Sequence, residues 1–510
     1  MPQPPYAFLI STTPHSSSIR HSLGAAAYSY HFVAEALTPV LGRLGVVTPI
    51  DCPESRLAAA ARAARGRGLA PLHLAVLPIQ DAYIDQELPN IFFPFWEFPD
   101  LPDRALGGDP RQDWVRIANR ADLILVACGA TAEAFTRSRV STPVATVPVP
   151  LPGWVRSVAP WSSSATVTLE CGWTSNGGPN DTSLGSALTQ DESVIRKRAG
   201  ALFRQVAPWL PPECVSSIYG TAQALRSHSP GAWATMSARA LYKRLLREWL
   251  SERAIERVTR VKESLCARIG ISSEAALDPI LPRRTLELSG LVYTTFLAVG
   301  DPRKNYHDLI SGFLYAFRDD PNATLVIKLA TNPRREHHEL GILRAYHAGL
   351  GIEHRCRIVV ITDYLDDAQL SELLRATTYY VNTSFAEGAC LPLQNALAAG
   401  RPAIAPDHSA MRDTMDSSIG FVIGSDPEPC AWPHDPDQRL TTYRGRICWS
   451  DLRDHLLASA ELVRNDRDRY HALSDAARRR LTALASTEAA TEAMSRALAR
   501  LGPGAGQRAA

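Results

Sequence analysis

Short apolar runs rich in β-branched residues alternate with helix-like stretches about every 20–25 residues, and this rhythm occurs twice along the chain. In the first series the strand-like runs lie at 7–11 (AFLIS), 45–48, 72–77 (LHLAVL), 91–93, 123–127 (LILVA) and 144–149. Helical patterns fall between them at 25–41, 54–66, 113–119 and 131–138. The second series has strands at 292–299, 323–329, 357–361, 379–383, 402–405 and 420–423, and helices at 309–317, 334–350 and 367–376. A run this regular predicts an α/β protein with two Rossmann-like, doubly wound domains. Between the two series the rhythm fails. A Ser-, Thr- and Gly-rich stretch with one strand near 165–169 is followed by helical patterns near 193–209 and 233–269. The expected organisation is an N-terminal Rossmann-like domain over 1–150, a mainly helical insertion over 151–290 and a C-terminal Rossmann-like domain over 291–480. A terminal helix and disordered tail are expected over 481–510, and a Pro- and Asp-rich segment over 425–439.

At 510 residues the chain exceeds one ordinary core. Its net charge of +2 argues against nucleic acid as a partner. No apolar run approaches the ~20 residues of a transmembrane helix, and the first residues, MPQPPYAFLIS, lack the basic start of a signal peptide. Nine scattered cysteines, with no CxxC, fit reduced thiols rather than zinc ligands or disulfides. Both observations point to the cytoplasm. The pattern over 233–269 mixes a basic face (Arg239, Lys243, Arg244, Arg247) with Glu248, Glu252 and Glu256. It reads as a helix with a solvated basic face or as a peripheral contact with anionic membrane.

The most informative stretch is 384–400, SFAEGACLPLQNALAAG. A strand ends just before it, Glu387-Gly388 break the pattern, Pro392 suits a first helical turn and Gly400 a helix stop. A carboxylate therefore sits at a strand-to-helix turn beside amides without intrahelical partners. Such a turn attracts phosphate through its amides and dipole, while the carboxylate accepts hydroxyl hydrogen bonds. The same residues also describe an ordinary loop with an exposed glutamate.

No GxGxxG follows either first strand and no GxxxxGK[ST], HExxH or GxSxG occurs, so dinucleotide oxidoreductases and P-loop nucleotidases lose support. No histidine spacing suggests a metal; the adjacent His337 and His338 read as solvated. Residues 291–415 instead resemble the donor-binding domain of GT-B glycosyltransferases of the group 1 (family 4) type. The features that carry the resemblance are Arg303-Lys304-Asn305, Leu309-Ile310-Ser311-Gly312-Phe313, Lys328, Asp367-Ala368-Gln369-Leu370 and EGACLPLQNALAAG, in that order. The N-terminal series resembles the family more weakly, through PFWEFPDLP and ADLILVACGATAEAF.

The resemblance implies a cytoplasmic glycosyltransferase, in the EC 2.4 class, that moves a sugar from a nucleotide-diphosphate sugar to a hydroxyl acceptor. That acceptor is a glycan, a lipid-linked group or a small molecule, as in polysaccharide biosynthesis. The implied reaction is retaining and needs neither metal nor cofactor. Arg303 and Lys304 would neutralise the diphosphate leaving group. Glu387 would accept hydrogen bonds from the donor sugar, and the amides of Gly388, Ala389 and Cys390 would face a phosphate, beside Leu391. Asn305 belongs to the same basic loop. Lys328 is either a further phosphate contact or a strand-end lysine. Thr362 to Leu365 resembles the loop bordering the nucleobase. Glu97, on the turn after an apolar run, either orients or deprotonates the acceptor or simply caps its turn. One departure stands out. The family's second glutamate, eight residues after the first, is here Asn395, which replaces a charge-assisted ribose contact with neutral hydrogen bonds. That departure keeps two alternatives open: a non-catalytic GT-B scaffold that binds a partner, and a sugar-nucleotide epimerase.

Overall fold

The computed structural model describes residues 5–12, 28–162, 166–171, 173–175, 284–331, 333–433, 435 and 438–501. The helices expected near 193–209 and 233–269, the basic face of the latter and the tail after 501 lie outside the described residues.

The N-terminal sheet contains β1 (Tyr6–Thr12), β2 (Gly45–Pro49), β3 (Ala70–Val76), β4 (Asn90–Phe92), β5 (Leu123–Val126) and β6 (Val144–Thr146). Its order is β2-β1-β3-β4-β5-β6, and every pairing is parallel. Helices α1 (Tyr28–Gly42), α2 (Pro53–Gly66), α3 (Trp114–Ala118) and α4 (Gly129–Arg137) connect the strands. Central strands buried on both faces need unbroken apolar runs, and LILV in β5 is wholly buried. One polar network lies within this sheet: Ser11 Oγ is 2.9 Å from His73 Nε2, and His73 Nδ1 is 3.3 Å from Asn90 Oδ1. Ser11, which follows the core of β1, is thus turned into the buried interior.

Strand β7 (Val167–Cys171) pairs antiparallel with β9 (Arg284–Leu288) as a separate two-stranded unit. The second large sheet contains β8 (Trp173–Ser175), β10 (Leu291–Leu297), β11 (Ala323–Leu329), β12 (Arg357–Ile361), β13 (Tyr379–Val381), β14 (Ala403–Pro406) and β15 (Gly420–Ile423). Its order is β15-β14-β13-β10-β11-β12-β8, parallel except for the edge strand β8. Helices α5 (Tyr306–Phe317), α6 (Pro333–Gly349), α7 (Asp367–Ala376) and α8 (Leu391–Ala398) supply the crossovers. Two doubly wound, largely parallel sheets are therefore present, and β8 from within the expected insertion edges the second of them.

The Pro- and Asp-rich segment differs from expectation. It opens as β16 (Ser425–Ala431), which pairs antiparallel with β17 (Thr441–Ile447). Two prolines and two acids hide β16 in the sequence, because such residues are normally confined to edge strands. Here the hairpin is held by its anchors. Trp432 and Leu440, each 6% exposed, enter the N-terminal core beside Trp96, Phe98, Leu101 and Trp114. Trp432 lies 5.4 Å from Trp96, ring to ring.

Three further helices follow among the described residues: α9 (Trp449–Asn465), α10 (Arg467–Leu484) and α11 (Thr487–Leu498). The last returns to the N-terminal sheet, where Ala490, Met494, Ala497 and Leu498 pack with Phe8, Val33 and Leu37. Just before that return, the Ala485 carbonyl accepts from the Leu151 amide at 3.0 Å. Arg401 is fully buried nearby and donates to the carbonyls of Leu374, Gly400 and Ala159.

Candidate active site

In the C-terminal sheet β10 is flanked by β13 on one side and β11 on the other, so crossovers leave in opposite directions at β10 and β13. That reversal opens a crevice at the strand ends, where α/β proteins bind ligands. The loop after β10 carries Arg303 and Lys304; the loop after β13 carries Glu387. Topology alone therefore brings together residues more than eighty positions apart. The loops are also tied directly: Phe385 N–H donates to the Arg303 carbonyl at 2.8 Å, and Thr383 Oγ1 to the Asn305 carbonyl at 3.0 Å.

Lys304 Nζ meets Glu387 Oε1 at 2.5 Å. The same oxygen accepts from Ser384 Oγ at 2.7 Å, with Asn382 Nδ2 at 3.5 Å. Burial would raise the Glu387 carboxyl, but Lys304, Arg303 and these hydrogen bonds outweigh it and hold the group below the ordinary carboxylate range. Burial likewise works against the Lys304 ammonium, yet Glu387 keeps it above its usual value. The backbone of Glu387 is clamped as well: its N–H donates to Ser409 Oγ at 3.0 Å, and its carbonyl accepts from Ala410 N–H at 3.1 Å.

Arg303 faces two further acids. Its Nε and Nη2 grip Asp301 at 3.0 and 2.5 Å, while Nη1 reaches Glu97 Oε1 at 2.9 Å. Burial opposes ionisation of Asp301, but Arg303 holds it below the usual range. Glu97 moves the other way. Burial raises it, Arg303 opposes the rise, and Asp301 and Glu387 add to it. Two cations thus face three carboxylates, one of them delivered by the other domain.

Backbone geometry supports these loops. Asn305, Cys390 and Ser409 adopt left-handed conformations with φ of 42°, 53° and 48°. Such conformations cost about 1–3 kcal/mol and gather at functional sites. Asn305 caps α5, accepting from Asp308 N–H at 3.4 Å. Cys390 stands at the start of α8 with Asn382 Nδ2 3.1 Å from its sulfur. Gly388 is needed for close approach, since a Cβ there would lie 3.2 Å from Phe95 Cβ and 3.3 Å from Trp96 N. Its carbonyl accepts from Cys128 Sγ at 3.4 Å. Ala389 and Leu391 complete the turn into α8, and Gln394 Nε2 folds back onto the Ala389 carbonyl at 2.8 Å.

The remaining predicted residues lie on β11 (Lys328), after β12 (Thr362 and Leu365) and on α8 (Asn395). Lys328 ends β11 buried, donates to the Leu329 carbonyl at 2.6 Å, and is lowered by burial to about 7. Thr362 Oγ1 donates to Glu336 Oε1 at 2.5 Å, and Leu365 lies in the apolar core with Val326 and Leu373. The side chain of Leu365 thus packs the fold. Asn395 is half-buried on α8. Asp301, Ser384, Asn382 and Ser409 are additional site members. Asp301 lies two residues before Arg303 and Ser384 three before Glu387, close enough for local polar contacts to have flagged them. Among the described residues, no group of three or more His, Cys, Asp or Glu is arranged to hold a metal ion, and no helix is long and apolar enough to cross a membrane.

No curated protein matches the chain in sequence. Among solved structures the chain is similar to a glycosyltransferase from Rickettsia africae, at 8% identity over 98% of this chain and 99% of that one, with a TM-score of 0.48. HepE from Anabaena, determined with UDP-glucose, matches at 11% identity over 96% and 99%, with a TM-score of 0.43. Trehalose 6-phosphate synthase from Burkholderia multivorans matches at 13% identity over 97% and 98%, with a TM-score of 0.44. The family model for glycosyl transferases, group 1, matches residues 293–432, the segment that supplies Arg303, Lys304 and Glu387. Over residues 293–432 the chain is similar to a group 1 glycosyl transferase domain.

Proposed function

We propose that the protein transfers a sugar from a nucleoside-diphosphate sugar to a hydroxyl acceptor, with retention of anomeric configuration and with Arg303 and Lys304 carrying the leaving-group charge. The observation that carries this reading is the buried Lys304–Glu387 pair at the strand-end crevice of the group 1 domain. Ionised Glu387 accepts hydrogen bonds from donor-sugar hydroxyls on its remaining lone pairs, and Lys304 sits where negative charge grows as the sugar–phosphate bond breaks. The 93–99 loop lies against Gly388, so an acceptor bound on the N-terminal side would meet the donor at this edge. Glu97 is the group on that loop able to orient an acceptor hydroxyl. Asn395 would hold the ribose through neutral hydrogen bonds, weaker than a carboxylate's. The acceptor class is a glycan, a lipid-linked group or a small molecule, and the site of action the cytoplasm, with a peripheral membrane contact through residues 233–269.

The test is incubation with a panel of nucleoside-diphosphate sugars and hydroxyl acceptors, with the anomeric configuration of the product read by NMR. A glycoside of retained configuration is expected, together with free nucleoside diphosphate. Inverted product would remove the retaining mechanism, and no transfer from any donor would remove the reading.

A further inference from the structure

Two edges of the Arg303 guanidinium are engaged by the protein's own acids. The Nε–Nη2 edge is taken by Asp301, two residues away on the same loop. Nη1 is the edge turned toward the N-terminal domain, and it is taken by Glu97, with the Ala386 carbonyl at 3.4 Å. Both of these edges are therefore engaged before any diphosphate arrives. Charge leads to the same conflict. With Arg303 and Lys304 facing Asp301, Glu97 and Glu387, the cluster already holds one carboxylate more than it has cations. Adding a diphosphate to a partly buried cluster of that sign is unfavourable unless one acid gives way.

Two of the three acids are poorly placed to do so. Glu387 is held by Lys304, Ser384 and both backbone clamps, and Asp301 is the local partner of Arg303 and its backbone amide. Glu97 is the most exposed of the three, at 21% of its side chain against 18% and 7%. Its neighbours are held by contacts of their own. Trp96 and Phe98 are buried, the Trp96 carbonyl accepts from Thr131 Oγ1 at 2.8 Å, and the Phe95 amide donates to Tyr30 Oη at 2.8 Å. The glutamate can leave Arg303 by rotating its own side chain while the loop stays fixed.

We propose that Glu97 is a built-in competitor for the donor's diphosphate: its carboxylate occupies the Nη1 edge of Arg303 and is displaced when the donor binds. This rests on the assignment of Arg303 as a diphosphate contact. The release frees Glu97 at the acceptor side only when the donor is present, so the group that orients the acceptor becomes available in step with donor binding.

The experiment is calorimetric titration of UDP, GDP and ADP, each in turn, into the full chain as wild type, Glu97→Gln, Glu97→Ala, Arg303→Met and the Glu97→Gln/Arg303→Met pair. Removing the competing carboxylate is expected to tighten binding of the preferred diphosphate roughly two- to fivefold, the scale of a partly exposed ion pair. In the Arg303→Met background the Glu97→Gln gain should vanish, which a change acting elsewhere in the fold would not produce. Melting curves verify folding, and Glu97→Ala serves in place of Glu97→Gln if the latter is unstable. Unchanged or weaker binding in the glutamate variants, or a gain that survives loss of Arg303, overturns the proposal while leaving the function reading in place. Absence of binding by both the wild type and the Glu97 variants to all three nucleotides overturns both.

Discussion

Replacing Lys304 by Met removes the ammonium and leaves the Glu387 carboxylate buried at a place built for an ion pair. The contact is 2.5 Å, and the Glu387 side chain is only 7% exposed. Ser384, at 2.7 Å, remains as a hydrogen-bond donor, and the field of Arg303 remains, but no cation touches the group. Breaking one partner of a buried pair costs about 3–5 kcal/mol. The pH dependence gives the sharper signature. In the wild type the folded-state pKa of Glu387 lies below its unfolded value, so its contribution is present above the unfolded pKa and is lost as pH falls through the folded one. Without Lys304, burial, the largest influence on this carboxyl, is opposed only by the weaker ones, and the folded pKa rises above the unfolded value. The folded variant then binds more protons than its unfolded chain and gains relative stability as pH falls. Urea unfolding followed by tryptophan fluorescence should show a penalty of about 3 kcal/mol or more at pH 7.5 that shrinks at pH 5. The Lys304→Met/Glu387→Gln pair should recover at least half of it. A penalty below about 1 kcal/mol, or one that grows on acidification, would refute the ion-pair reasoning.

Trp432→Ala should remove the hairpin's anchor in the N-terminal core at a cost of about 3–5 kcal/mol and open the 425–447 hairpin to limited proteolysis. Gly445→Ala should destabilise by about 1–3 kcal/mol, read as a lower melting temperature, because a Cβ there falls 2.1 Å from His408 Cδ2. His347 and His354 face each other at 2.9 Å between Nε2 atoms, and burial lowers His347 to about 4. With the folded pKa below the ordinary 6.5, the unfolded state takes up protons first. Stability should therefore fall as pH drops from 6.5 toward 4, and His347→Gln should flatten that part of the curve.

Much of this architecture was legible because the strands are buried on both faces. Runs such as LILV and ATLVIKL leave little choice of element, and the glycine and proline signals around 384–400 mark a strand-to-helix turn. The hairpin was not legible. SDPEPCA carries none of the usual strand chemistry, and it pairs because Trp432 and Leu440 find a pocket in another domain. The members of the candidate site were readable singly, but their partners were not. Local spacing offers no way to see that Glu97 crosses to Arg303 or that Lys304 crosses to Glu387, since both pairings depend on which strand ends share a crevice. Leu365 shows the converse: a loop position that matched a family pattern turns its side chain into the core.

Cys390 holds a φ of 53°, a left-handed conformation that favours glycine, with a cysteine side chain. The Asn382 contact to its sulfur is one local compensation.

The central claim is that Lys304 and Glu387 handle a nucleoside-diphosphate sugar. Its most direct measurement is acceptor-dependent release of nucleoside diphosphate by the wild type, Lys304→Ala and Glu387→Gln, under saturating donor and with folding verified. Losses of roughly a hundredfold or more are expected in each variant, the scale of a lost transition-state charge contact. Variants that release product at the wild-type rate would contradict that claim.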